Sequence, residues 1–381
     1  MKEKRVSIVI TTINRPIVLE AIASNCRKFG RIENVDVIVV GDRNTPTDVS
    51  TYVESVFKQT SLSVKYWGVE KQLLWLDKFP QLNEIIPFNS DNRRNIGHLL
   101  AYENGADIIV ALDDDNYPLE NIDYIAPYLE VGTEKPYPLT SSKNGWYNIC
   151  SSLSSDCNFE FYPRGFPYSR RTNPSEPNRC LSTTTKSSHL LVKAGLWLGD
   201  PDIDAVTRLT FPMTVDSFSG GDVFLAPGTM CPFNTQNTAF HRNLLPAFYY
   251  VHMNRLIDGY RVDRYGDIWS GYIAQTIMHH FGDIVGFGYP LVNHERNEHN
   301  LLEDLRQEFP GMVLTNKLIG LMKEVSIQGT NYHDATQSFA IGLRQVVNYS
   351  SSLTNQEKDY LLEVVRNILI WLDVVERLDN Q

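Results

Sequence analysis

The stretch RVSIVITTINRPIVLEAIASNCRKFGRIENVDVIVVGD, residues 5–42, reads as a strand, a helix and a second strand. Residues 5–13 form a β-branched run, Pro16 and Gly30 stand where a helix would begin and end, and residues 34–42 form another apolar run. Strand, helix and strand within about 40 residues predict a βαβ unit. Such a unit implies a parallel sheet with a ligand crevice at the carboxyl ends of its strands.

A second apolar stretch, IIVALDDDNYP at residues 108–118, ends in three consecutive carboxylates and follows a predicted helix at 91–106. Because side chains alternate along a strand, Asp113 and Asp115 are predicted to face the crevice together while Asp114 points elsewhere. Asp114 is assigned to nucleotide or sugar binding. Crowded carboxylates suit a bound cation and diphosphate, which makes Asp113 and Asp115 candidate ligands of Mn²⁺ or Mg²⁺. A solvated loop after a strand is the alternative.

Three more residues near these strands are candidates for nucleotide binding. Asp42 ends the second strand, where it would either bond the nucleoside or form an Asx-turn before RNTP. Arg93 and Arg94 precede the acidic strand, and a guanidinium is suited to bidentate contact with a diphosphate. An ordinary exposed pair on a helix is the alternative for these two arginines.

The composition excludes several classes of protein. A formal charge of -10 and a pI near 5.4 argue against a general affinity for nucleic acid. The 5 cysteines are scattered and never form a CxxC pair, so neither a disulfide framework nor a structural zinc site is expected. The first residues lack a signal-peptide pattern, and no apolar run approaches the ~18 to 20 residues of a membrane span. The sequence therefore predicts a cytoplasmic protein with no membrane span.

The rest of the chain changes in character twice. Residues 124–237 are rich in Pro, Gly, Ser and aromatics, and loops with short strands are expected there. The end of the chain is helical, with Thr354 and Glu357 spaced as a capping box before an apolar stripe. That stripe predicts packing against the same domain or a sister subunit, so a homo-oligomer is possible.

Four multi-residue motifs occur in a fixed order. They are FYPRGFPYSRR (161–171), GLWLGDPDIDAVTRL (195–209), CPFNTQNTAFHRNLLPAFYY (231–250) and RYGDIWSGYIAQTIMHHFG (264–282). In this order they resemble stretches of the reversibly glycosylated polypeptides, the plant UDP-arabinopyranose mutases, and VALDDDNYP resembles the acidic motif of that family. The resemblance runs from the first strand to about Arg306. It implies a nucleotide-sugar mutase domain over residues 1–306, and residues 307–381 are predicted to form a helical C-terminal extension.

The resemblance implies an α/β fold of the GT-A-like, Rossmann-like type, which binds nucleotide sugars on a mostly parallel central sheet. It also implies a divalent metal such as Mn²⁺ and no flavin. No GxGxxG follows a strand in this sequence, which agrees with the expected absence of a dinucleotide cofactor.

The motifs also carry roles onto individual residues. Arg164 matches an arginine that can carry the sugar, and Arg171 matches a second functional arginine. Because a guanidinium is protonated at any working pH, Arg164 acts either covalently, with help from carboxylates, or electrostatically on the departed diphosphate. His294 matches a histidine that closes the metal shell. Asp267 is the candidate acid, base or sugar-orienting carboxylate.

The remaining candidates lie in the second and third motifs. Asp202 and Asp204 would hold sugar hydroxyls, with solvated loop carboxylates as the alternative, and Asn237 is assigned to the same binding role. The family carries an acidic residue where this chain has Gly266, which leaves the identity of the sugar open. The candidate sugars include arabinose and fucose, linked to UDP or dTDP.

We therefore expect a metal-dependent mutase that converts a nucleotide-linked sugar between its pyranose and furanose forms and supplies furanose donors for polysaccharide synthesis. A glycosyltransferase would use the same metal and nucleotide residues but would pass the sugar to an acceptor glycan. A scaffold without catalytic activity would bind the nucleotide sugar, or partners, and would tolerate Asp115→Asn.

Overall fold

A computed structural model describes residues 4–157, 159–171, 181–297 and 300–380. The strands in these ranges are β1 (Val6–Thr12), β2 (Val35–Gly41), β3 (Ser63–Trp67), β4 (Ile108–Asp113), β5 (Asn116–Pro118), β6 (Thr133–Ser142), β7 (Leu153–Ser155), β8 (Leu181–Gly199), β9 (Val215–Phe218), β10 (Val223–Leu225), β11 (Asn237–His241), β12 (Arg255–Ile257), β13 (Tyr260–Val262) and β14 (Ile284–His294). The α-helices are α1 (Val18–Lys28), α2 (Val49–Thr60), α3 (Val69–Leu76), α4 (Pro80–Ile85), α5 (Arg94–Glu103), α6 (Ala205–Thr210), α7 (Gly266–Phe281), α8 (Leu301–Lys323), α9 (Tyr332–Tyr349) and α10 (Asn355–Asp379).

The N-terminal part of the sheet is parallel, as the βαβ pattern predicts. Strands lie in the order β3, β2, β1, β4, and each neighbouring pair is parallel. Ile8, Val9 and Ile10 are all fully buried, so both faces of β1 are covered. The chain runs from β1 outward to β3 and then returns to place β4 on the other side of β1. The carboxyl ends of β1 and β4 therefore form the crevice expected where strand order reverses.

The second half of the chain extends this sheet with mixed strand directions. β11 is antiparallel to β4, β8 is antiparallel to β11, and β14 is parallel to β8. β5, which follows the acidic turn, pairs antiparallel with the end of β14. This last pairing brings the far end of β14 beside the carboxylates, and the predicted α/β class is confirmed.

The expectation of loops and short strands over residues 124–237 is wrong in part, because β6 has 10 residues and β8 has 19. Residues 181–187 of β8 are exposed and rich in Ser and Thr, so they lack the apolar alternation that marks a strand. Two prolines interrupt β6. The pairing of β6 with this outer part of β8 holds both segments extended.

Gly97 allows α5 to lie close against the parallel strands. A Cβ atom at this position would lie 2.3 Å from Val9 Cγ1 and 3.0 Å from Val40 Cγ2. Only glycine gives this close approach without a shift of the strands. Since α5 begins at Arg94, the close contact helps to hold that arginine next to the carboxyl end of β4.

The C-terminal helices pack onto the sheet domain. α8 contacts α6 and β13, and the predicted capping box of Thr354 and Glu357 at the start of α10 is confirmed. Trp371 of α10 is fully buried and donates from Nε1 to the Leu245 carbonyl oxygen at 2.9 Å. The predicted boundary at 306 falls inside α8, and the division into two domains stays a prediction.

Within the described ranges, none of the helices combines the length and the apolar character that crossing a bilayer requires. Cys26, Cys150, Cys157 and Cys231 are free thiols, and Cys180 lies outside the described residues.

Candidate active site

A cavity of about 180 Å³ lies at the carboxyl end of β4, in the predicted crevice. The predicted site residues that line it are Arg94, Asp113, Asp115, Arg164, Asp202, Asp267 and His294. These residues come from distant parts of the chain. The pairing of β5 with β14 brings His294 beside the acidic turn, and helices and loops supply Arg94, Arg164, Asp202 and Asp267.

The acidic turn holds its three carboxylates in different surroundings. Asp113 accepts a hydrogen bond from Arg94, and Asp114 accepts one from Thr12 Oγ1 at 2.5 Å. Burial raises the pKa of Asp113; Arg94 opposes this rise and Asp115 adds to it. Asp113 and Asp115 line the cavity, whereas Asp114 lines a neighbouring one. This division is the alternation that a strand end predicts.

His294 reaches the acidic turn because it pairs with Asn116 in the β14 and β5 ladder. Its Nδ1 donates to the Asp200 carbonyl oxygen at 2.6 Å, which orients the ring, and its Nε2 lies 3.5 Å from Asp115 Oδ2. Burial lowers the pKa of His294, but its interaction with Asp115 outweighs burial, so the pKa is raised. An outer hydrogen bond that fixes the ring is typical of metal-binding histidines.

The donor atoms at this end of the cavity fit a divalent cation. Carboxylate oxygen and imidazole nitrogen are both ligands of Mn²⁺, and the 3.5 Å between His294 Nε2 and Asp115 Oδ2 lets both contact one ion. Asp113 adds an oxygen donor to the same cavity. Across the described ranges, no three acidic, His or Cys side chains already converge as a preformed metal site. Metal binding by Asp113, Asp115 and His294 therefore stays a prediction.

Arg164 is held between two carboxylates on the other side of the cavity. Its Nε donates to Asp202 Oδ1 at 2.8 Å, and its Nη2 donates to Asp267 Oδ2 at 2.9 Å. Its Nη1 donates to the Arg264 carbonyl oxygen. Burial lowers the pKa of Arg164, but the two carboxylates outweigh burial and raise the pKa well above its usual value. The surroundings thus hold this guanidinium as a fixed cation.

The two carboxylates that hold Arg164 are themselves fixed. Burial raises the pKa of Asp202, but Arg164 and a hydrogen bond from Asn234 Nδ2 at 2.5 Å outweigh burial and lower the pKa to about 2. Asp267 lies in the first turn of α7, where the helix dipole favours a negative charge. Both carboxylates hold the guanidinium and line the cavity with it.

A second cavity of about 550 Å³ adjoins the first and is lined by Asp42, Arg93 and Asp114. Asp91 lines both cavities. Asp42 accepts hydrogen bonds from the backbone N–H groups of Arg43 at 2.7 Å and Ser90 at 3.2 Å. This carboxylate therefore both shapes its own turn and faces the cavity.

Arg93 and Arg94 are 1% and 4% exposed, so the alternative of an exposed helix pair is wrong. Arg93 donates from Nε to Gln72 Oε1 at 2.8 Å and lies 4.2 Å from the centre of the Phe88 ring. Burial lowers the pKa of Arg93 to about 10. Arg94 donates to Thr235 Oγ1 at 2.6 Å as well as to Asp113.

The sequence profile named "Reversibly glycosylated polypeptide" matches residues 139–378, more than half of the chain. The chain belongs to the reversibly glycosylated polypeptide family. The match includes the C-terminal helices, which no motif of the sequence covered, and it begins after the acidic turn.

Plant members of the family resemble this chain. UDP-arabinopyranose mutase 3 of Arabidopsis thaliana is 28% identical over 221 residues, 58% of this chain and 55% of that protein. Probable UDP-arabinopyranose mutase 1 of Zea mays is 31% identical over 168 residues, 44% of this chain and 41% of that protein. The chain thus spans about half the length of the relatives it matches.

Solved structures with a similar backbone include two glycosyltransferases. Mannosyltransferase PcManGT of Pyrobaculum calidifontis, with GDP-Man and Mn²⁺, has 9% identity and a TM-score of 0.40 over 99% of this chain and 87% of that chain. Glucosyl-3-phosphoglycerate synthase of Mycobacterium tuberculosis, with Mn²⁺ and UDP-Glc, has 12% identity and a TM-score of 0.39 over 82% and 78%.

Two predicted site residues of this reversibly glycosylated polypeptide pair with each other outside both cavities. Arg171 Nη2 donates to Asp204 Oδ2 at 2.5 Å, and its guanidinium lies 3.7 Å from the centre of the Tyr168 ring. Asp204 is fully buried and caps α6 by accepting from the Thr207 N–H at 2.9 Å. The pair fixes the chain that leads away from Arg164.

Asn237 is likewise placed in the core of this family member, at 1% exposure. Its Oδ1 accepts hydrogen bonds from Tyr128 at 2.7 Å and from Tyr124 at 3.0 Å, and its Nδ2 donates to the Leu196 carbonyl oxygen at 3.3 Å. These contacts occupy the amide group of Asn237. The side chain therefore does not reach the cavity in which sugar binding was expected.

The cavity also contains residues that the sequence reasoning missed. They are Asp91, Thr235, Gln236, Tyr250, Arg264 and Arg296. Tyr250 donates from its hydroxyl to Asp91 Oδ2 at 2.5 Å. Tyr250 and Arg264 stand in the quoted family motifs, and Asp91 lies two residues before the candidate Arg93. Proximity to predicted site residues was therefore the available signal.

Gly266, where the family resemblance implies an acidic residue, is enclosed in this reversibly glycosylated polypeptide. A Cβ atom there would lie 2.4 Å from the Val251 carbonyl oxygen and 2.7 Å from Tyr250 Cε1. A side chain at this position would require the segment around Tyr250 to move. The cavity wall of this chain therefore leaves no room for an acidic side chain at position 266.

Proposed function

We propose that this protein is a metal-dependent, flavin-independent mutase that interconverts the pyranose and furanose forms of a nucleotide-linked sugar, UDP-arabinose-like or dTDP-fucose-like. The furanose product would supply donors for polysaccharide synthesis. One observation carries the proposal: Asp113 and Asp115 line the same cavity as Arg164, which is held by two carboxylates. A binding site for a leaving diphosphate and a cation beside the sugar are what the rearrangement needs.

The two adjoining cavities divide the substrate between them. The larger cavity, with Asp42 and Asp114, would take the nucleoside, and the smaller one would take the diphosphate and sugar. Asp91 lies where they meet. Arg94 is anchored to Asp113, which places one buried positive charge at the expected position of the diphosphate.

Asp113, Asp115 and His294 would hold Mn²⁺ or Mg²⁺. When bound, the cation would neutralise charge on the leaving diphosphate. The protein side chains then orient the diphosphate and keep it in place. No flavin is invoked, because the reaction proposed here breaks and re-forms bonds at the anomeric carbon without electron transfer.

The rearrangement conserves all atoms of the substrate. The bond between C1 and the phosphate oxygen breaks, and its electron pair stays on that oxygen. A sugar hydroxyl adds to C1 and loses a proton, while the former ring oxygen leaves C1 and gains one. The diphosphate oxygen then bonds to C1 again, which gives the other ring form with unchanged mass.

Arg164 would act as a fixed positive charge beside this reaction. Two carboxylates hold it protonated, and a protonated guanidinium has no free electron pair for attack on C1. The two ion pairs of Arg164 thus support the electrostatic role over the covalent one. Mass spectrometry of the protein under turnover tests this: a sugar attached to Arg164 would overturn the electrostatic role.

An assay without acceptor tests the proposed function. UDP- and dTDP-linked pyranoses are incubated with the protein and Mn²⁺, and products are separated by ion-pair chromatography with mass detection. A new peak with the mass of the substrate supports a mutase, and Asp115→Asn should abolish it. Sugar transfer that requires an added glycan, with no such peak, would favour a glycosyltransferase. The cytoplasmic location and a homo-oligomer stay predictions.

A further inference from the structure

Arg296 is a partly buried arginine in the segment that lies beside the acidic turn. It lines that cavity with Asp115 and His294, and its side chain is 10% exposed. Within the described residues it makes one hydrogen bond, from Nη2 to Asp304 Oδ2 at 2.7 Å, and its Nε is buried without a partner. A buried N–H group without a partner is costly. The position is therefore suited to an anion that enters the cavity.

Contacts of the neighbouring residues fix the position of Arg296. The Glu295 N–H donates to the Asp115 carbonyl oxygen at 3.0 Å, and Asn297 Nδ2 donates to Asp115 Oδ2 at 3.3 Å. His294, two residues earlier, contacts the same carboxylate. The segment that carries Arg296 is thus attached to Asp115 on both sides of the arginine, and the guanidinium stays beside the predicted diphosphate site.

Arg296 has fewer ionic partners than its neighbour Arg264. Arg264 Nη1 lies 3.4 Å from Asp304 Oδ1, so Arg264 and Arg296 share one carboxylate. Arg264 has a second partner in Glu308, at 3.1 Å, whereas Arg296 depends on Asp304 within the described residues. Of these two arginines, Arg296 therefore has more N–H groups available to a ligand.

We propose that Arg296 binds the diphosphate of the nucleotide sugar and retains it after the bond to C1 has broken. This inference rests on the proposed function. A retained diphosphate oxygen can bond to C1 again, which completes the rearrangement. If the diphosphate moves away, water adds to C1 and loses a proton, and free sugar and nucleoside diphosphate result. Arg296 would therefore set the ratio of rearrangement to hydrolysis.

Calorimetric binding of UDP, dTDP and uridine in the presence of Mn²⁺ tests the proposal on the full chain. For Arg296→Gln we expect the Kd of UDP to rise about 10- to 100-fold, as for loss of a charged hydrogen bond, while the Kd of uridine stays within about two-fold. Arg296→Lys, which keeps the charge, should recover part of the loss. Arg306→Gln is the matched control, because that side chain is 76% exposed and outside the cavity.

The ratio of hydrolysed to rearranged product is a second test of the proposal. Arg296→Gln should release more free UDP per molecule of rearranged sugar than the unchanged protein does. Unaltered UDP binding in Arg296→Gln, or an equal loss for UDP and uridine together with a lower melting temperature, would overturn the role of Arg296 alone. If the unchanged protein binds neither UDP nor dTDP, the proposed function fails and this inference fails with it.

Discussion

Arg164 and Asp267 form a buried ion pair in which Nη2 donates to Oδ2 at 2.9 Å, and their side chains are 11% and 8% exposed. Asp202 holds the opposite edge of the same guanidinium, so the cation is fixed from two sides. Its position depends on the meeting of the PRGFP segment with the start of α7.

Replacement of Asp267 by Asn should release one side of Arg164 without emptying the cavity. We expect the rate of sugar rearrangement to fall on the order of 100-fold, because a neutral amide holds the guanidinium less firmly than a carboxylate does. Initial rates measured by chromatography check this. Asp216→Asn, at an exposed position of β9, is the control. An Asp267→Asn variant that keeps more than half of the rate would contradict the role of the pair.

Asp115→Asn tests the predicted cation site. The change removes a negative donor that contacts His294, so Mn²⁺ should no longer strengthen UDP binding. We expect the Mn²⁺-dependent gain in UDP affinity to drop at least about ten-fold by calorimetry, with little change in uridine affinity. Asp373→Asn, which alters a half-exposed carboxylate of α10, should behave as the unchanged protein. Equal Mn²⁺ stimulation in Asp115→Asn would rule out this ligand.

The pattern of strand and helix around the acidic turn could be predicted because it is local. The apolar run before Asp113 and the alternation of Asp113 and Asp115 need no information from the rest of the chain. The family resemblance supplied Arg164, Asp267 and His294, all of which line the cavity.

The positions of the other site residues depend on contacts between distant parts of the chain. Arg171 and Asn237 stand in the same motifs as residues of the cavity, yet their side chains bond to Asp204 and to buried tyrosines. A motif identifies a segment, but the direction of each side chain follows from the packing around it. Arg296 lies outside the quoted motifs, so no motif pointed to it. The pairing of β14 with β5 brings it to the cavity.

His98 should make stability depend on pH. It is fully buried between Phe240 and Phe248, neither ring nitrogen has a partner among the described residues, and burial lowers its pKa to about 3. The unfolded chain has a histidine pKa of about 6.5, so below that pH the unfolded state binds a proton that the folded state does not. The free energy of unfolding therefore falls as pH drops from about 6.5 toward 3.

His98→Phe removes this dependence. Between pH 7 and pH 5 the unchanged protein should lose about 2 kcal/mol more of its free energy of unfolding than the variant does. Urea unfolding at both pH values measures this change in each protein. The contributions of the other titrating groups cancel when the two proteins are compared. Parallel pH profiles for the two proteins would show that His98 is protonated in the folded state.

Replacement of Trp371 tests whether the C-terminal helices unfold together with the sheet domain. Trp371→Ala should lower the free energy of unfolding by about 3–5 kcal/mol, through loss of buried area and of the bond to Leu245. The sheet domain should melt in the same transition. Tyr349→Ala, at a side chain that is 89% exposed, is the control. Two separate transitions in calorimetry would instead favour an independent C-terminal domain.

The most direct measurement of the central claim is proton NMR of the protein with Mn²⁺ and each ring form of a nucleotide sugar, in separate samples without acceptor. The account predicts that a pyranose and the corresponding furanose, linked to UDP or dTDP, reach the same ratio from either side while the total nucleotide sugar stays constant. Substrates that stay unchanged, or that only lose their sugar to water, would contradict it.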